Sequence, residues 1–170
     1  MFGGMATRMA SRGMTLVEVL IGTAVLVGGG GALLLGMHYA MAHSDYLSHF
    51  QIVLQGAQGE LERLTSESFD TLAGGGQYAG ARQTGQRVDL NNAEVPGGTL
   101  GVQLKTFPAG TPFQTATLLD LHVAACWTSR GRAIGEDQNC NGVLDAGEDA
   151  NGNGWIDSSA MVSTRVARKE

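Results

Sequence analysis

The feature that most constrains this chain is an almost uninterrupted run of apolar and small residues from Met14 to Met37. Its length, about 24 residues, exceeds the roughly 20 helical residues that cross the hydrocarbon core of a membrane. One carboxylate, that of Glu18, lies inside the run. An unpaired charge at such a depth costs at least about 2.5 kcal/mol and is by default a candidate for function. The run therefore predicts a membrane-spanning helix in which Glu18 has a specific role.

The residues before the run predict its orientation. Residues 1–13 include Arg8 and Arg12 and no acidic residue. Basic flanks stay in the cytoplasm, so the chain after Met37 should face the periplasm or the exterior. A secretory signal peptide is one alternative, but it has a shorter apolar region that ends in a small-x-small cleavage site. A plain single-pass anchor is another alternative, and it leaves Glu18 unexplained.

The junction between the basic segment and the apolar run consists of Gly13 followed by Met14-Thr15-Leu16-Val17-Glu18-Val19-Leu20-Ile21. This stretch resembles the type IV pilin family, which includes the pseudopilins of type II secretion. The resemblance implies that a prepilin peptidase cleaves after Gly13 and methylates the new terminal amine of Met14, where phenylalanine is usual. It also implies that Glu18 pairs with the amine of a neighbouring subunit. Because an unmatched buried charge is strongly penalised, such a pair would set the register of a filament.

Beyond Tyr39 the apolar residues recur in steps of three and four, which predicts an amphipathic helix lying against a globular domain. The residues of this stripe are Leu47, Phe50, Leu54, Ala57, Leu61 and Leu64, and those off it are Glu60, Glu62, Arg63 and Glu67. We expect one helix from about Thr15 to Glu67. The glycine run 28–31 within it indicates either a locally melted stretch or close helix packing. A loop at Gly74-Gly75-Gly76 should follow the helix.

From Tyr78 onward, short β-prone runs alternate with turn residues. The clearest strand is 115–127, with Leu119, Leu121, Val123 and Ala125 on one face, and its hairpin partner is 161–169. The predicted fold is α+β, a long N-terminal helix packed on a small antiparallel β-sheet, as in pilins. The predicted organisation is a leader peptide (1–13), a transmembrane or filament-core helix (14–39), an amphipathic helix (40–73) and a β-rich domain (74–170).

An acidic segment, 136–157, has the spacing of a calcium-binding loop. It contains six acidic residues and no lysine or arginine. Positions 1, 3, 5, 6, 9 and 12 of an EF-hand-type loop are occupied by Asp137, Asn139, Asn141, Gly142, Asp145 and Glu148. Calcium takes about six to eight oxygen ligands, Gly142 permits the sharp turn, and Val143 offers its carbonyl. The spacing favours a bound ion over a merely solvated loop.

A second set follows at once, formed by Asp149, Asn151, Asn153, Gly154, Trp155 as carbonyl donor, and Asp157. Its position 12 is Ala160, so this half either recruits a ligand from elsewhere, such as Asp145, or binds weakly. The tandem resembles the calcium-loop repeats of many bacterial surface proteins. We expect one or two structural Ca²⁺ ions and not Mg²⁺, which demands a small octahedral shell.

The two cysteines of the chain allow one disulfide if the domain is exported. Cys140 occupies position 4 of the first loop, where a side chain points away from the ion, and it could bridge to Cys126 at the end of the preceding strand. Two free thiols are the alternative.

Several function classes are disfavoured. A net charge of −5 gives no basic surface for nucleic acid, and no nucleophile elbow, P-loop or zinc signature indicates an enzyme. The four histidines have no metal-ligand spacing. The favoured function is a minor pilin, a structural subunit of a type IV pilus; the alternative is a type II secretion pseudopilin that acts in protein export. A calcium-dependent adhesin that is merely anchored is a third, distinct class, and it predicts no cleavage at Gly13.

The pilin resemblance also implies partners and location. The partners would be other pilin or pseudopilin subunits, the prepilin peptidase, the inner-membrane assembly platform and the membrane. The chain would lie in the bacterial inner membrane with its C-terminal domain in the periplasm, and then in a pilus on the cell surface.

Overall fold

The structure is a computed structural model that describes residues 14–169. The predicted leader and its cleavage residue Gly13 lie outside the described residues. The helices are α1 (Leu16–Ser66) and α2 (Phe69–Gly74), followed by a single 3₁₀ turn (Gly76–Tyr78). The strands are β1 (Gln86–Asp89), β2 (Thr99–Phe107), β3 (Leu118–Ser129), β4 (Arg132–Ile134) and β5 (Met161–Ala167). The chain divides into two compact units, with the boundary between Ser44 and Asp45.

The first unit is the N-terminal part of α1. Thr15 caps the helix, because its Oγ1 atom accepts a hydrogen bond from the N–H of Glu18 at 3.3 Å. The Thr-x-x-Glu spacing is that of a capping box, and an acidic residue in the first turn interacts favourably with the helix dipole. The helix continues through the glycine run without a break. Its apolar side chains are exposed, and by length and composition α1 can cross a membrane.

In the second unit, the buried face of α1 differs from the predicted stripe. Val53, Ala57, Glu60 and Leu64 are buried, whereas Leu47 is 46% exposed. The expectation that Glu60 points away from the core was therefore wrong. Arg63 explains the difference, since its Nε donates to Glu60 Oε2 at 2.9 Å and its Nη2 to Oε1 at 2.5 Å. A carboxylate paired in this way can be buried beside apolar neighbours.

The region predicted to be helical up to residue 73 contains two helices. Helix α1 ends at Ser66, and the Oγ atom of Ser68 caps α2 by accepting the N–H of Thr71 at 3.1 Å. The predicted loop at Gly74-Gly75-Gly76 is reduced to Gly75, which has φ +88° and separates α2 from the 3₁₀ turn. A positive φ is accessible to glycine at little cost, so one residue suffices to separate the two helical segments.

All strand pairs in the described residues are antiparallel, and β3 lies at the centre of the sheet. Strand β2 pairs along one edge of β3 and itself pairs with β1. The other edge of β3 is shared by β5 and by β4, which pairs only with the end of β3. The predicted pairing of residues 161–169 with the preceding strand is confirmed, although the acidic loop and β4 lie between the two partners in sequence.

Both faces of the central strands are buried. The predicted face of β3 (Leu119, Leu121, Val123 and Ala125) is at most 1% exposed and packs with α1 and β2 in the core. On the opposite face, Gln103, His122 and Cys126 are also buried. That face is covered by the acidic loop, so the second unit has three layers: helix, sheet and loop.

Candidate metal site in the acidic loop

The acidic loop joins β4 to β5 and contains several glycines with a positive φ. Gly142 and Gly154, which hold position 6 in the two predicted calcium loops, have φ +75° and +73°. At Gly142 a Cβ atom would lie 2.5 Å from the Cα of Arg87 in β1. Glycine is therefore required there for the turn and for the close approach to the sheet.

The first calcium loop brings its predicted side chains together. The carboxylate of Asp137 accepts the N–H groups of Asn141 at 3.1 Å and of Gly142 at 2.6 Å. The Nδ2 atoms of Asn139 and Asn141 both donate to Oδ2 of Asp145, at 2.9 and 2.8 Å. Positions 1, 3, 5 and 9 are thus linked in one hydrogen-bond network.

Glu148 closes the first loop at position 12. Its Oε1 accepts the N–H of Gln138 at 2.9 Å, and its Oε2 accepts the N–H of Asp145 at 3.0 Å. The N–H of Val143, whose carbonyl is the predicted ligand at position 7, donates to Asn141 Oδ1 at 2.7 Å.

The second calcium loop repeats this network with the corresponding atoms. Asn151 and Asn153 donate through Nδ2 to Oδ2 of Asp157, at 2.6 and 2.7 Å. The N–H of Gly154 donates to Asp149 Oδ2 at 2.9 Å, and that of Trp155 donates to Asn153 Oδ1 at 2.6 Å. The two loops therefore share this hydrogen-bond pattern from position 1 to position 9, except at Oδ1 of the position-1 aspartate.

The electrostatics of the first loop favour a cation. Asp137 is 1% exposed and Glu148 is 8% exposed. Burial raises the pKa of Asp137, the N–H groups of Gly142 and Asn141 lower it, and the nearby Glu148 carboxylate raises it further. Two buried carboxylates without a lysine or arginine in the same loop provide the setting in which a divalent cation is stabilising.

The predicted metal ligands of the two loops belong to several chemical types. In the part of the chain that the structure describes, no three side chains drawn from His, Cys, Asp and Glu are grouped so that they could hold a metal ion. The two loops instead alternate carboxylates with asparagine amides and backbone carbonyls, which are the oxygen donors that calcium combines. Calcium binding stays a prediction from spacing and local geometry.

A disulfide ties the first loop to the sheet. Cys126 of β3 and Cys140 are joined, with their Cα atoms 5.3 Å apart. Beside this link, Thr99 of β2 donates from Oγ1 to the carbonyl of Cys140 at 3.0 Å. The side chain at position 4 therefore points to the sheet, in the direction expected from its place in the loop.

Three polar residues that sequence reasoning missed hold the second loop on the sheet. Gln103 accepts the N–H of Ile156 at 2.6 Å, and His122 Nε2 lies 2.9 Å from the carbonyl oxygen of Ile156. Lys105 donates to the carbonyl of Gly154 at 2.6 Å, with its Nζ 3.7 Å from the centre of the Trp155 ring. Burial lowers the pKa of Lys105 and of His122. In the sequence, these three residues are distinguished only as polar side chains at alternate positions of two strands.

Of the residues predicted for processing and assembly, the structure describes Met14 and Glu18. Met14 is 75% exposed, and Glu18 is exposed in the first turn of α1. Comparison of the chain with family models, with curated proteins and with solved structures finds no match. The resemblance to type IV pilins therefore depends on the residues from Gly13 to Ile21, and the family remains a prediction.

Proposed function

We propose that this chain is a minor pilin, a structural subunit of a type IV pilus that is processed by a prepilin peptidase. The observation that carries the proposal is the two-part character of α1. Its N-terminal part exposes apolar side chains such as Leu16, Val25 and Leu34, whereas its C-terminal part buries Val53, Ala57 and Leu64 in an α+β core. The exposed apolar surface needs a membrane or neighbouring helices to cover it. In a filament subunit, the membrane covers this surface before assembly and neighbouring helices cover it in the filament.

The position of Glu18 supports the same proposal. Cleavage after Gly13 would leave the amine of Met14 four residues from this carboxylate, at the start of α1. A carboxylate there can take part in capping its own helix, or it can pair with the amine of a neighbouring subunit. Only the second role requires the negative charge, because glutamine also serves in a capping box.

Calcium in this proposal is structural. Each loop would hold the ion with the groups at positions 1, 3, 5, 7 and 9, and the first loop also with Glu148 at position 12. The ion would neutralise carboxylates that repel one another and would fix the segment that lies across the sheet. It supplies no chemistry for a reaction.

The first experiment is peptide mass spectrometry of the N-terminus, with protein taken separately from membranes and from sheared extracellular fibres. We expect an N-methylated Met14 as the first residue of the protein in fibres. The same processed chain found in membranes alone would instead favour a pseudopilin of type II secretion. An unprocessed N-terminus in both fractions would overturn the family assignment.

The role of Glu18 is tested by comparing Glu18→Gln with Glu18→Ala in the native host. If the charge pairs with a neighbouring subunit, both variants should remain in the membrane and be depleted from fibres by about tenfold or more, as expected for an unmatched buried charge. Normal assembly of Glu18→Gln would show that capping, and not pairing, is what Glu18 provides. The membrane-bound pool of each variant, measured by immunoblot, serves as the control for expression.

A further inference from the structure

The acidic loop contains an internal repeat with a period of twelve residues. Residues 135–145 (GEDQNCNGVLD) and 147–157 (GEDANGNGWID) are identical at seven of their eleven positions. Each copy begins with Gly-Glu-Asp, so Glu136 in the first copy corresponds to Glu148 in the second. Glu148 is also position 12 of the first calcium loop, the place where such loops carry a bidentate carboxylate.

Glu136 repeats two of the three hydrogen bonds that Glu148 makes with the first loop. The third, from the N–H at position 2, is not repeated, because the N–H of Ala150 donates to the carbonyl of Glu148 at 2.9 Å. The N–H of Glu148 donates to the carbonyl of Asp145 at 3.1 Å, and its Oε2 accepts the N–H of Asp145 at 3.0 Å. The N–H of Glu136 donates to the carbonyl of Asp157 at 2.8 Å, and its Oε2 accepts the N–H of Asp157 at 3.4 Å. Asp145 and Asp157 both hold position 9. In each loop, therefore, the N–H and Oε2 of the glutamate are hydrogen-bonded to the carbonyl and the N–H of the aspartate at position 9.

The residue that follows in sequence cannot take this place. Ala160, at position 12 of the second loop, is fully buried in the core, and its carbonyl accepts the N–H of Ala125 at 2.9 Å. By this point the chain has left the loop for the sheet. Asp145, the other candidate from the sequence, accepts both asparagine amides of the first loop on its Oδ2 atom.

The second loop also contains a carboxylate oxygen without a donor. In the first loop, Oδ1 of Asp137 accepts the N–H of Asn141 at 3.1 Å. Among the residues that the structure describes, the corresponding Oδ1 of Asp149 is buried and has no hydrogen-bond partner. A buried anionic oxygen is costly unless a donor or a cation satisfies it.

We propose that Glu136 is the missing position-12 ligand of the second calcium loop. This inference depends on the proposed calcium function and extends it to a residue outside the spacing of the second loop. The ligand comes from the residue directly before the first loop, so the two loops form one unit. Glu148, at position 12, completes the first loop, and Glu136 completes the second loop from the start of the repeat. Two full calcium sites then occupy 22 residues.

The test uses the full-length protein in detergent and follows binding of Tb³⁺ by luminescence excited through tryptophan, with Ca²⁺ as competitor. Trp155 lies at position 7 of the second loop, so it reports on that loop, and loss of the signal in Trp155→Phe verifies the assignment. We expect Glu136→Gln to weaken Tb³⁺ binding at the Trp155-reported site by about tenfold or more, because ligand charge sets calcium affinity. The matched control is Glu94→Gln, which changes an exposed glutamate outside the acidic loop.

Calcium stoichiometry from native mass spectrometry separates the remaining outcomes. A fall from two ions to one in Glu136→Gln, with the first-loop affinity kept within about twofold, supports the proposal and excludes general unfolding. Two ions and an unchanged Tb³⁺ midpoint in this variant overturn the role of Glu136 while leaving the calcium function intact. Absence of any bound ion in the wild-type protein overturns the calcium function itself, and the role of Glu136 with it.

Discussion

Gly142 and Gly152 have nearly the same backbone conformation, with φ +75° and +71°, but different surroundings. A Cβ atom on Gly142 would lie 2.5 Å from Arg87 Cα, whereas nothing lies within 4 Å of one on Gly152. The pair therefore separates the cost of a left-handed conformation from the cost of steric overlap between the loop and the sheet.

We predict that Gly142→Ala destabilises the protein much more than Gly152→Ala. The left-handed conformation costs roughly 1–2 kcal/mol with any side chain, and both variants bear this cost. In Gly142→Ala the displaced loop should raise the total above about 3 kcal/mol. Urea unfolding followed by near-UV circular dichroism measures both. Equal losses in the two variants would contradict the close approach of the loop to β1.

The roles of some individual residues could be predicted from the sequence, and those of others could not. The positions of the first calcium loop and the need for Gly142 follow from spacing, because a local loop conformation is encoded by neighbouring residues. The contacts of Glu136 with Asp157 and the anchoring by Gln103, Lys105 and His122 do not follow from it. Their contacts join residues that are distant in sequence, and they depend on how the loop lies on the sheet.

At the level of the helix, the ion pair of Glu60 and Arg63 allows α1 to bury a charged residue. Glu60 is 9% exposed, and Arg63 Nη1 also donates to the hydroxyl of Tyr78 at 3.1 Å. The hydrogen bonds to Glu60 and Tyr78 raise the pKa of Arg63. An exposed pair, Arg87 and Asp89 at 2.7 Å, offers a comparison.

We predict that Arg63→Met lowers the free energy of unfolding by about 2–3 kcal/mol, because it leaves the Glu60 carboxylate buried without its partner. The loss is smaller than for a fully buried pair, since the Arg63 side chain is 49% exposed. Arg87→Met should cost less than about 1 kcal/mol, as exposed pairs do. Chemical denaturation compares the two variants. A similar loss in both would show that Glu60 is well solvated.

The acidic loop is the element whose stability should depend on calcium. We predict that excess chelator lowers the melting temperature and that calcium restores it. At calcium one hundred times above the dissociation constant, binding to the folded state alone contributes about 2.7 kcal/mol. Calorimetry of the full-length protein in detergent measures the shift. Asp137→Ala should behave in calcium as the wild type does in chelator.

Magnesium in place of calcium is the control for the chelation experiment, and it should restore little of the lost stability. An unchanged melting curve in chelator would count against calcium binding by the loops. The description of the fold would still hold.

At the scale of elements, the sequence predicted the α+β class, the long helix, the core face of β3 and the pairing of β5. It did not predict the rotation of the buried stripe on α1 toward Val53, because Glu60 was interpreted by its charge without its partner. It also did not predict that the second face of β3 is buried. A polar residue such as His122 indicates a solvated face unless a distant segment covers it, and here the acidic loop does.

At the scale of the whole molecule, the division into two units has a direct consequence for solubility. The second unit has its own core, which includes Val53, Leu72, Leu104 and Trp127. The exposed apolar residues are concentrated in the first unit. The need for a membrane, for detergent or for neighbouring subunits should therefore belong to the first unit.

We predict that a fragment of residues 45–170, produced under oxidising conditions, folds and remains monomeric without detergent. The full-length chain should require detergent, because its apolar helix is otherwise exposed to water. Light scattering after gel filtration and far-UV circular dichroism test the fragment. Aggregation or loss of the β-sheet signal would show that residues before Asp45 are part of the folding unit.

The disulfide at Cys140 links two equilibria that are usually treated separately. One sulfur of the bond belongs to position 4 of the first predicted calcium loop, so oxidation restricts the same backbone that, in the proposed function, would curl around the ion. Thermodynamic reciprocity then applies: the factor by which oxidation tightens calcium binding equals the factor by which calcium shifts the thiol equilibrium toward the disulfide. In an oxidising, calcium-containing compartment the two events reinforce each other, and in a reducing, calcium-poor one both are disfavoured. Under the proposed function, in which the domain is exported, it would acquire its full rigidity only after export.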